Sequence, residues 1–516
     1  MVNVTLDLVN FNFKKNLLFL KNFLRKAPDD VKFYAITDFS ANSSILRRLN
    51  IKNIYGTYGS MVDKTNIFIS FKKCNYFKIA GYLVRKNIFS ICWRESIKTP
   101  YFDLVVNDKK LFTWDYINEQ YIIYQKKYGT QLAEEHSRLK IAFVTPLAKK
   151  SAIAQYSRLT LKELCKKADV DVYSLEKNPE NTFGAENVFY LSPYPYLEKK
   201  YDALITVIGD SHFHDKMLEF HLLYGGYVIC HDSNLLNYSY CLFGSKYLQN
   251  LYEFYYHSKI EESKVLSYLK DFKNLPFTAT EPVIEASQLM FTHSKILADN
   301  SKSNKIKYLP FCVYADIDES KLSSDYKKQV KKELGYKEDD ILITSFGGVA
   351  PHKMSDIIAE AFIRAKCADN VFLIFVGNAA EFQQFIKTVK QSDKIRYFTN
   401  FISKELYMNY LYASDFSIQL RNTTNGQVSG ALADNIQAKL YTISCSDLSA
   451  AIDAPLYIDS LKSGWTIDDL TIKIQEVLKS KIYQRDFAEE KKAYLSEHNF
   501  KKYTDILIQY LSDQIR

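Results

Sequence analysis

The feature that most limits what this chain can fold into is an alternation, sustained from residue 140 onward, of short apolar runs with longer stretches whose apolar residues recur at helical spacing. Strands separated by helical crossovers return in the same direction, so the pattern builds parallel sheets flanked by helices rather than hairpins. Two such blocks are legible. The first opens with the run 141–146 and a helix from about Ser151 carrying Ala154, Leu161, Leu164 and Ala168 on one side; strands follow at 171–173, 203–208 and 227–230. The second opens at 341–346, breaks at Gly347-Gly348, and continues into a helix with Ile357, Ile358, Ala361, Phe362 and Ala365 on one face. Its later strands are expected at 371–376, 416–420, 440–444 and 456–458. Between the blocks, residues 316–340 are rich in Lys, Ser and Asp and read as an exposed hinge.

Residues 1–138 show an alternation of their own, with strands at 4–9, 31–37, 67–71, 88–92 and 104–106 and a helix-like segment at 17–24. They read as a further α/β unit without a phosphate loop, in which Trp93-Arg94-Glu95-Ser96 is packing plus a solvated edge. At 516 residues the chain has room for about three domains of ~150 residues. The expected division is 1–138, 139–316 and 317–500, followed by a terminal amphipathic helix at 501–516. That helix carries Tyr503, Ile506, Leu507, Tyr510 and Leu511 on a face that needs a neighbour.

Composition narrows the class without naming a function. Hydrophobic residues at 47% and charged residues at 25% exclude a disordered or fibrous chain. An excess of Lys and Arg over Asp and Glu, 68 to 59, favours anionic partners such as nucleotides or phospholipid surfaces. No run of about 18 apolar residues suggests a membrane span, and no basic segment precedes the first apolar stretch, so a cytoplasmic location is the default expectation. The eight cysteines have neither CxxC pairs nor regular spacing, which argues for reduced thiols and against a structural metal.

Three segments are placed where chemistry occurs. Asn425-Gly-Gln-Val-Ser-Gly-Ala-Leu-Ala-Asp434 follows a strand and opens a helix, which sets backbone N–H groups and a helix dipole toward a diphosphate; an ordinary turn capped by Ser429 is the plainer alternative. Ser345-Phe-Gly-Gly-Val-Ala-Pro-His-Lys353 also ends a strand, with Gly347 and Gly348 allowing close backbone approach and Lys353 supplying a cation. It matches neither the dinucleotide fingerprint nor the P-loop. In the first block, 208–214 and Tyr224-Gly-Gly-Tyr-Val-Ile-Cys-His-Asp232 bring His214, His231 and Asp232 to strand ends that open on a cleft, although a satisfied structural histidine is the commoner explanation.

Taken in order, these segments resemble the retaining family 4 glycosyltransferases of GT-B fold, especially bacterial members acting on polysaccharides and other glycoconjugates, over roughly residue 138 to the end. Residues 146–157 resemble the opening loop and helix; Gly209-Asp-Ser-His-Phe-His214 and Val228-Ile-Cys-His-Asp232 resemble the "GN…FH" and "HD" segments. Glu285-Ala-Ser with His293-Ser294, the loop 345–353, and Leu420-Arg421 through Asp434 are similar to the "EAS…HS", "FG…K" and "LR…GE.SG…D" segments. The resemblance implies two facing Rossmann-like domains, an additional N-terminal α/β region, and a terminal helix that crosses back. It implies transfer of a hexose-type unit from a nucleotide-sugar to a hydroxyl of a glycan, glycolipid or other glycoconjugate, with no metal or other cofactor and no nucleic acid. Lys353 would bind the donor diphosphate, with Gly347 and Gly348 in its loop; Ser429 and Gly430 would present amides, Asp434 would hold the ribose, and Gln427 would face the donor sugar. His231, with Asp232 beside it, would contact the transferred sugar; Ala152, Tyr156 and His214 would lie on the acceptor side.

Three departures from the pattern bear on activity. Gly348 stands where an Arg is common, Gln427 where an acidic residue is common, and Ala152 where glycine is usual. Losing one electrostatic donor costs ~3 kcal/mol, about a hundredfold in rate, and leaves Lys353 as a lone cation. The alternative expectations are a weakened GT-B-like subunit that binds a glycan or a partner transferase, and a GT-B epimerase. The tyrosine-rich stretch 238–268, with Tyr240, Tyr247, Tyr252, Tyr255 and Tyr256, reads first as packing and secondly as contact with the inner face of a membrane.

Overall fold

The computed structural model describes residues 2–515 except 10, 40–42, 52, 72–87, 94–101, 107, 109, 129–137, 149–150, 177–181, 183, 193–200, 271–276, 315–316, 380–382, 391 and 423–425. Residues 94–96 and Asn425 of the quoted motifs therefore lie outside the described residues. The fold is the expected α/β class, with two facing parallel-sheet lobes and an additional N-terminal lobe.

The first lobe contains β1 (Val2–Asp7), β2 (Val31–Ile36), β3 (Asn53–Tyr55), β4 (Ile67–Ser70), β5 (Phe89–Trp93) and β6 (Leu104–Val106), in the order β3-β2-β1-β4-β5-β6. The second contains β7 (Lys140–Val144), β8 (Asp169–Ser174), β9 (Asn187–Tyr190), β10 (Ala203–Ile208), β11 (Tyr227–Cys230), β12 (Met290–Thr292) and β13 (Ile306–Tyr308), in the order β13-β12-β11-β10-β7-β8-β9. The third contains β14 (Ile341–Phe346), β15 (Val371–Asn378), β16 (Ile395–Phe398), β17 (Phe416–Gln419), β18 (Thr442–Cys445) and β19 (Ile458–Leu461), in the order β16-β15-β14-β17-β18-β19. Counted from its own first strand, each sheet reads 3-2-1-4-5-6, with a seventh strand on the second. All three therefore reverse direction between their first and fourth strands, which opens a crevice beyond the carboxyl ends of β1/β4, β7/β10 and β14/β17.

The N-terminal lobe is covered in an unusual way. Val4, Leu6, Ala35, Ile67, Ile69 and Ile91 point to one face, where Leu20 and Phe23 of the Phe13–Arg25 helix and Ile117 of the Trp114–Tyr128 helix cover them. Side chains alternate along a strand, so Tyr34, Ile36 and Phe68 point the other way. They join Ala142 and Val144 of β7, Leu204 of β10, and Met217, Phe220 and Tyr224 in one shared core. The second lobe thus takes the place of a helical layer. Removing the first lobe would bare these side chains at roughly 1.5–3 kcal/mol for each large one.

Local signals set the helices. Ser151 accepts from the Ala154 amide and starts Ala152–Leu164, whose Leu161 and Leu164 pack on Ile141 and Phe143. The terminal helix, Phe500–Ile515, lies against the same element: Phe500 meets the Tyr156 ring at 4.9 Å, Tyr510 meets Phe291 at 5.6 Å, and Lys167 pairs with Asp505 at 2.7 Å. The last segment of the chain therefore straps the second lobe to the third. Lys295 and Asp453, at 2.9 Å, add a second tie between these lobes.

The first two lobes approach backbone to backbone at Gly59 and Gly225. Gly225 has φ +66°, and a Cβ there would stand 2.8 Å from the Gly59 carbonyl oxygen and 2.9 Å from that of Ala286. Gly464 has φ +80° but nothing within 4 Å, so it isolates the conformational part of the effect. Gly464→Ala is expected to cost about 1 kcal/mol and Gly225→Ala about 2–4 kcal/mol. Thermal unfolding should give a clearly lower midpoint for Gly225→Ala, whereas equal midpoints would contradict this packing of the lobes.

Candidate active site

A cavity of about 240 Å³ opens at the crevice of the third sheet. Its floor is Phe346 and Gly347 after β14 and Gln419, Leu420 and Arg421 after β17, the two strands between which the sheet order reverses. Ser429, Gly430 and Asp434 close one wall. The loop 345–353 turns through the short helical turn Pro351–Lys353 and brings the Lys353 ammonium back over Gly347. Gly347 has φ +92°, and a Cβ there would lie 2.5 Å from Lys353 Nζ, so glycine makes room for the cation.

Lys353 is not the lone cation. Arg421 lines the same cavity, and its charge, after the loss of water on burial, helps bring the Lys353 pKa down to about 8. Burial likewise lowers the Arg421 pKa, with the charge of Asp232 acting in the opposite direction. Among the described residues neither cation has a carboxylate within ion-pair distance, an arrangement that favours binding an anion. Gly348 is exposed and outside the lining, so the cavity's second cation comes from Arg421, just past β17.

Ser429 caps Gly430–Gln437 by accepting from the Leu432 amide at 3.3 Å, so the ordinary capped turn and the cavity wall are the same feature. The positive end of that helix faces the cavity from Gly430. One turn further, Asp434 Oδ2 accepts from the Tyr407 hydroxyl at 2.7 Å; burial raises its pKa to about 6, against the effect of that hydrogen bond. Tyr314 and Tyr407 complete the rim.

The second lobe contributes Asp232 and His231 just past β11. Asp232 Oδ2 accepts from the Asp210 amide at 2.6 Å. Burial and the neighbouring Asp232 charge raise the Asp210 pKa to about 7. Gln427 lies between the lobes: its Oε1 accepts from Arg421 Nη1 at 3.0 Å, and its amide hydrogen-bonds Asp232, favouring the ionised Asp232. A glutamate at 427 would have no proton to give Asp232 and would repel it, whereas an amide bonds both neighbours. The departure at this position is thus a donor–acceptor bridge across the cleft.

His231 is held neutral by burial and by His293 and His214, with its ring 5.1 Å from Tyr156 and 4.6 Å from His293. The three acceptor-side expectations fall in different places. Ala152 is exposed at the start of its helix. His214 is fully buried, with Nδ1 3.0 Å from the Ser211 hydroxyl. Tyr156 is packed between Phe311 and Phe500, its hydroxyl accepting from the Cys312 amide, so its ring edge alone approaches His231. Arg421, Asp210 and Tyr407 were not singled out from sequence; Arg421 was legible as a cation at the end of a switch-point strand. Among the described residues no group of three or more His, Cys, Asp or Glu is placed to hold a metal ion.

No protein-family model matches the chain, and no curated protein matches it. Solved structures similar to it include WaaG, a glycosyltransferase involved in lipopolysaccharide biosynthesis, at 12% identity over 72% of this chain and 99% of that one, with a TM-score of 0.48. Anabaena Alr3699/HepE in complex with UDP and glucose has 14% identity over 73% and 100%, with a TM-score of 0.48. A glycosyltransferase from Rickettsia africae ESF-5 has 12% identity over 74% and 100%, with a TM-score of 0.49.

Lys353 should titrate near pH 8 when its reactivity toward an acylating reagent is followed by peptide mass spectrometry. Removing its positive neighbour with Arg421→Gln should move that midpoint upward. An unchanged midpoint would contradict the placement of both cations in one cavity.

Proposed function

We propose that the chain is a glycosyltransferase that binds a nucleoside diphosphate sugar in the third lobe and transfers the sugar to a hydroxyl presented by the second. The observation that carries this reading is the convergence of Lys353, Arg421 and the Gly430 helix N-terminus on one cavity at the sheet's switch point. At about 240 Å³ the cavity is smaller than the ~300–1,000 Å³ of a typical ligand site, so it suits the diphosphate and ribose, with the sugar extending toward Asp232 and His231. Asp434 accepts from the ribose hydroxyls.

In this reaction the bond from the anomeric carbon to the phosphate oxygen breaks while the bond to the acceptor oxygen forms, and the acceptor hydroxyl's proton passes to the departing diphosphate oxygen. Negative charge accumulates on the departing diphosphate, where Lys353, Arg421 and the helix N-terminus stabilise it without rearrangement. Asp232 and neutral His231 lie on the side of the transferred sugar and orient it. The finer assignment follows the family resemblance: a retaining, family 4 enzyme acting at the cytoplasmic face, moving a hexose onto a glycan, glycolipid or other glycoconjugate without a metal.

The weakened-subunit alternative rested on Gly348 and Gln427. The cavity nevertheless holds two cations, Lys353 and Arg421, and Gln427 keeps a hydrogen bond to Arg421, which favours the active reading.

Calorimetry with uridine, adenosine and guanosine diphosphates should show binding that weakens at least tenfold, about 1.4 kcal/mol, in Lys353→Ala and in Arg421→Ala. Lys353 is protonated below its pKa of about 8, so affinity should fall as pH rises above 8, and Lys353→Arg should flatten that decline. Incubation with the matching nucleotide-sugars should show transfer or donor hydrolysis that collapses in Lys353→Ala. Binding without turnover would favour the subunit reading, and binding unaffected by either cation would overturn both.

A further inference from the structure

The N-terminal lobe carries a second built cavity, at the carboxyl ends of its own strands. Phe39 follows β2 and Gly56, Thr57 and Tyr58 follow β3; against them lie the Asp215–Tyr224 helix and the Leu236–Tyr256 helix of the second lobe. Together they enclose about 450 Å³, within the ~300–1,000 Å³ usual for small-molecule sites. It lies on the carboxyl-end side of the sheet, beside β2 and β3 rather than at the β1/β4 reversal itself.

Its walls are aromatic and preformed. Tyr247 stands between Phe39, at 5.5 Å and 80°, and Phe243, at 4.6 Å and 43°. Phe39 is fixed by Phe254 at 5.3 Å and sits so close over Gly56 that a Cβ there would lie 2.2 Å from its ring. Phe243 remains 47% exposed at the rim. The tyrosine-rich helix therefore reads as packing along most of its length: the Tyr255 hydroxyl donates to Glu285 at 2.6 Å, and the Tyr256 hydroxyl to Glu281 at 2.7 Å.

The polar groups at this cavity are chiefly acceptors. Asp215 and Glu219 come from the first turns of their helix, with Lys216 paired to Glu219 at 2.8 Å. Thr57 lines the cavity at 4% exposure, and its hydroxyl has no hydrogen-bond partner. Behind Tyr58, the carboxylate of Asp7 accepts from the Tyr58 hydroxyl at 3.1 Å and from Ser70 at 3.3 Å, joining the cavity to the β1/β4 crevice. A plain alkyl chain would fill the apolar walls of Phe39, Phe243, Tyr247, Leu222, Leu223 and Leu242 but offer no donor to the carboxylates of Asp215 and Glu219. A ring with C–H faces and several hydroxyl donors meets both demands.

We infer that this seam between the first and second lobes is a carbohydrate-binding site, taking a pyranose ring against Tyr247 and Phe39 with its hydroxyls toward Thr57 and Asp215. The site is built without any residue of the third-lobe cavity, so it does not rest on the transferase reading. It gives the N-terminal lobe a role: holding a sugar unit apart from the third-lobe cavity.

Saturation-transfer NMR on the full chain without nucleotide, with methyl glucoside, galactoside, mannoside and N-acetylglucosaminide as probes, tests this directly. At least one should bind, with affinity lowered fivefold or more in Tyr247→Ala and in Phe243→Ala. Thr57→Val should weaken binding while leaving the thermal midpoint unchanged or raised, since it removes an unsatisfied buried hydroxyl. Nucleoside diphosphate calorimetry on the same variants should be unaltered, which separates this site from the other. No binding by any of the four, equal binding by wild type and all three variants, or binding of 1-octanol in the cavity without any pyranoside would overturn the inference.

Discussion

Two partly buried cations that, among the described residues, have no carboxylate within ion-pair distance organise the third lobe. Lys353 and Arg421 arrive from different strands, yet the reversal of strand order between β14 and β17 makes those strands neighbours and leaves their carboxyl ends open. Loss of water disfavours both charges, and the Arg421 charge adds to the cost of the Lys353 ammonium. A site where, among the described residues, two like charges have no carboxylate within ion-pair distance binds an anion with correspondingly greater gain, and Gly347 and the capped helix at Gly430 are arranged around the same point. Fold, loop chemistry and electrostatics agree there, which is why the diphosphate reading is anchored in this lobe.

The second lobe works through a different constraint. Asp232 sits near a cation and an amide as well as beside the acid Asp210, and Gln427 lowers its cost from one side while accepting from Arg421 on the other. The cleft is thereby linked by side chains whose positions depend on the lobes' separation. The terminal helix, returning to the Ala152–Leu164 helix, and the Lys295–Asp453 pair hold that separation. The N-terminal lobe completes the arrangement by covering the far side of the second sheet, so it is part of the same packed body.

Much of this was legible in sequence because parallel strands buried on both faces are nearly continuous apolar runs. The strands at 203–208, 341–346 and 371–376 stood out for that reason. What escaped was mostly at the edges: β3, β9, β13 and β16 end their sheets, span three or four residues each, and are too short to show a period. The glycine-lysine loop and the capped helix were visible as motifs. Arg421 was visible in the Leu420-Arg421 segment but was given no role, because the linear pattern does not say that its strand end shares a cavity with Lys353. Gln427 read as a lost charge, because its value depends on a carboxylate almost two hundred residues earlier. Tyr156 lay in a recognisable motif, but only packing showed that its hydroxyl is spent on the Cys312 amide.

The account's central claim is that pyrophosphate lies between an ammonium and a guanidinium contributed by β14's loop and β17's end. A crystal structure of the full chain soaked with a nucleoside diphosphate measures this directly. The account predicts phosphate oxygens in contact with both Lys353 Nζ and the Arg421 guanidinium, with the ribose at Asp434. Pyrophosphate bound anywhere else, or that cavity closed to the ligand while the nucleotide binds in solution, would contradict it.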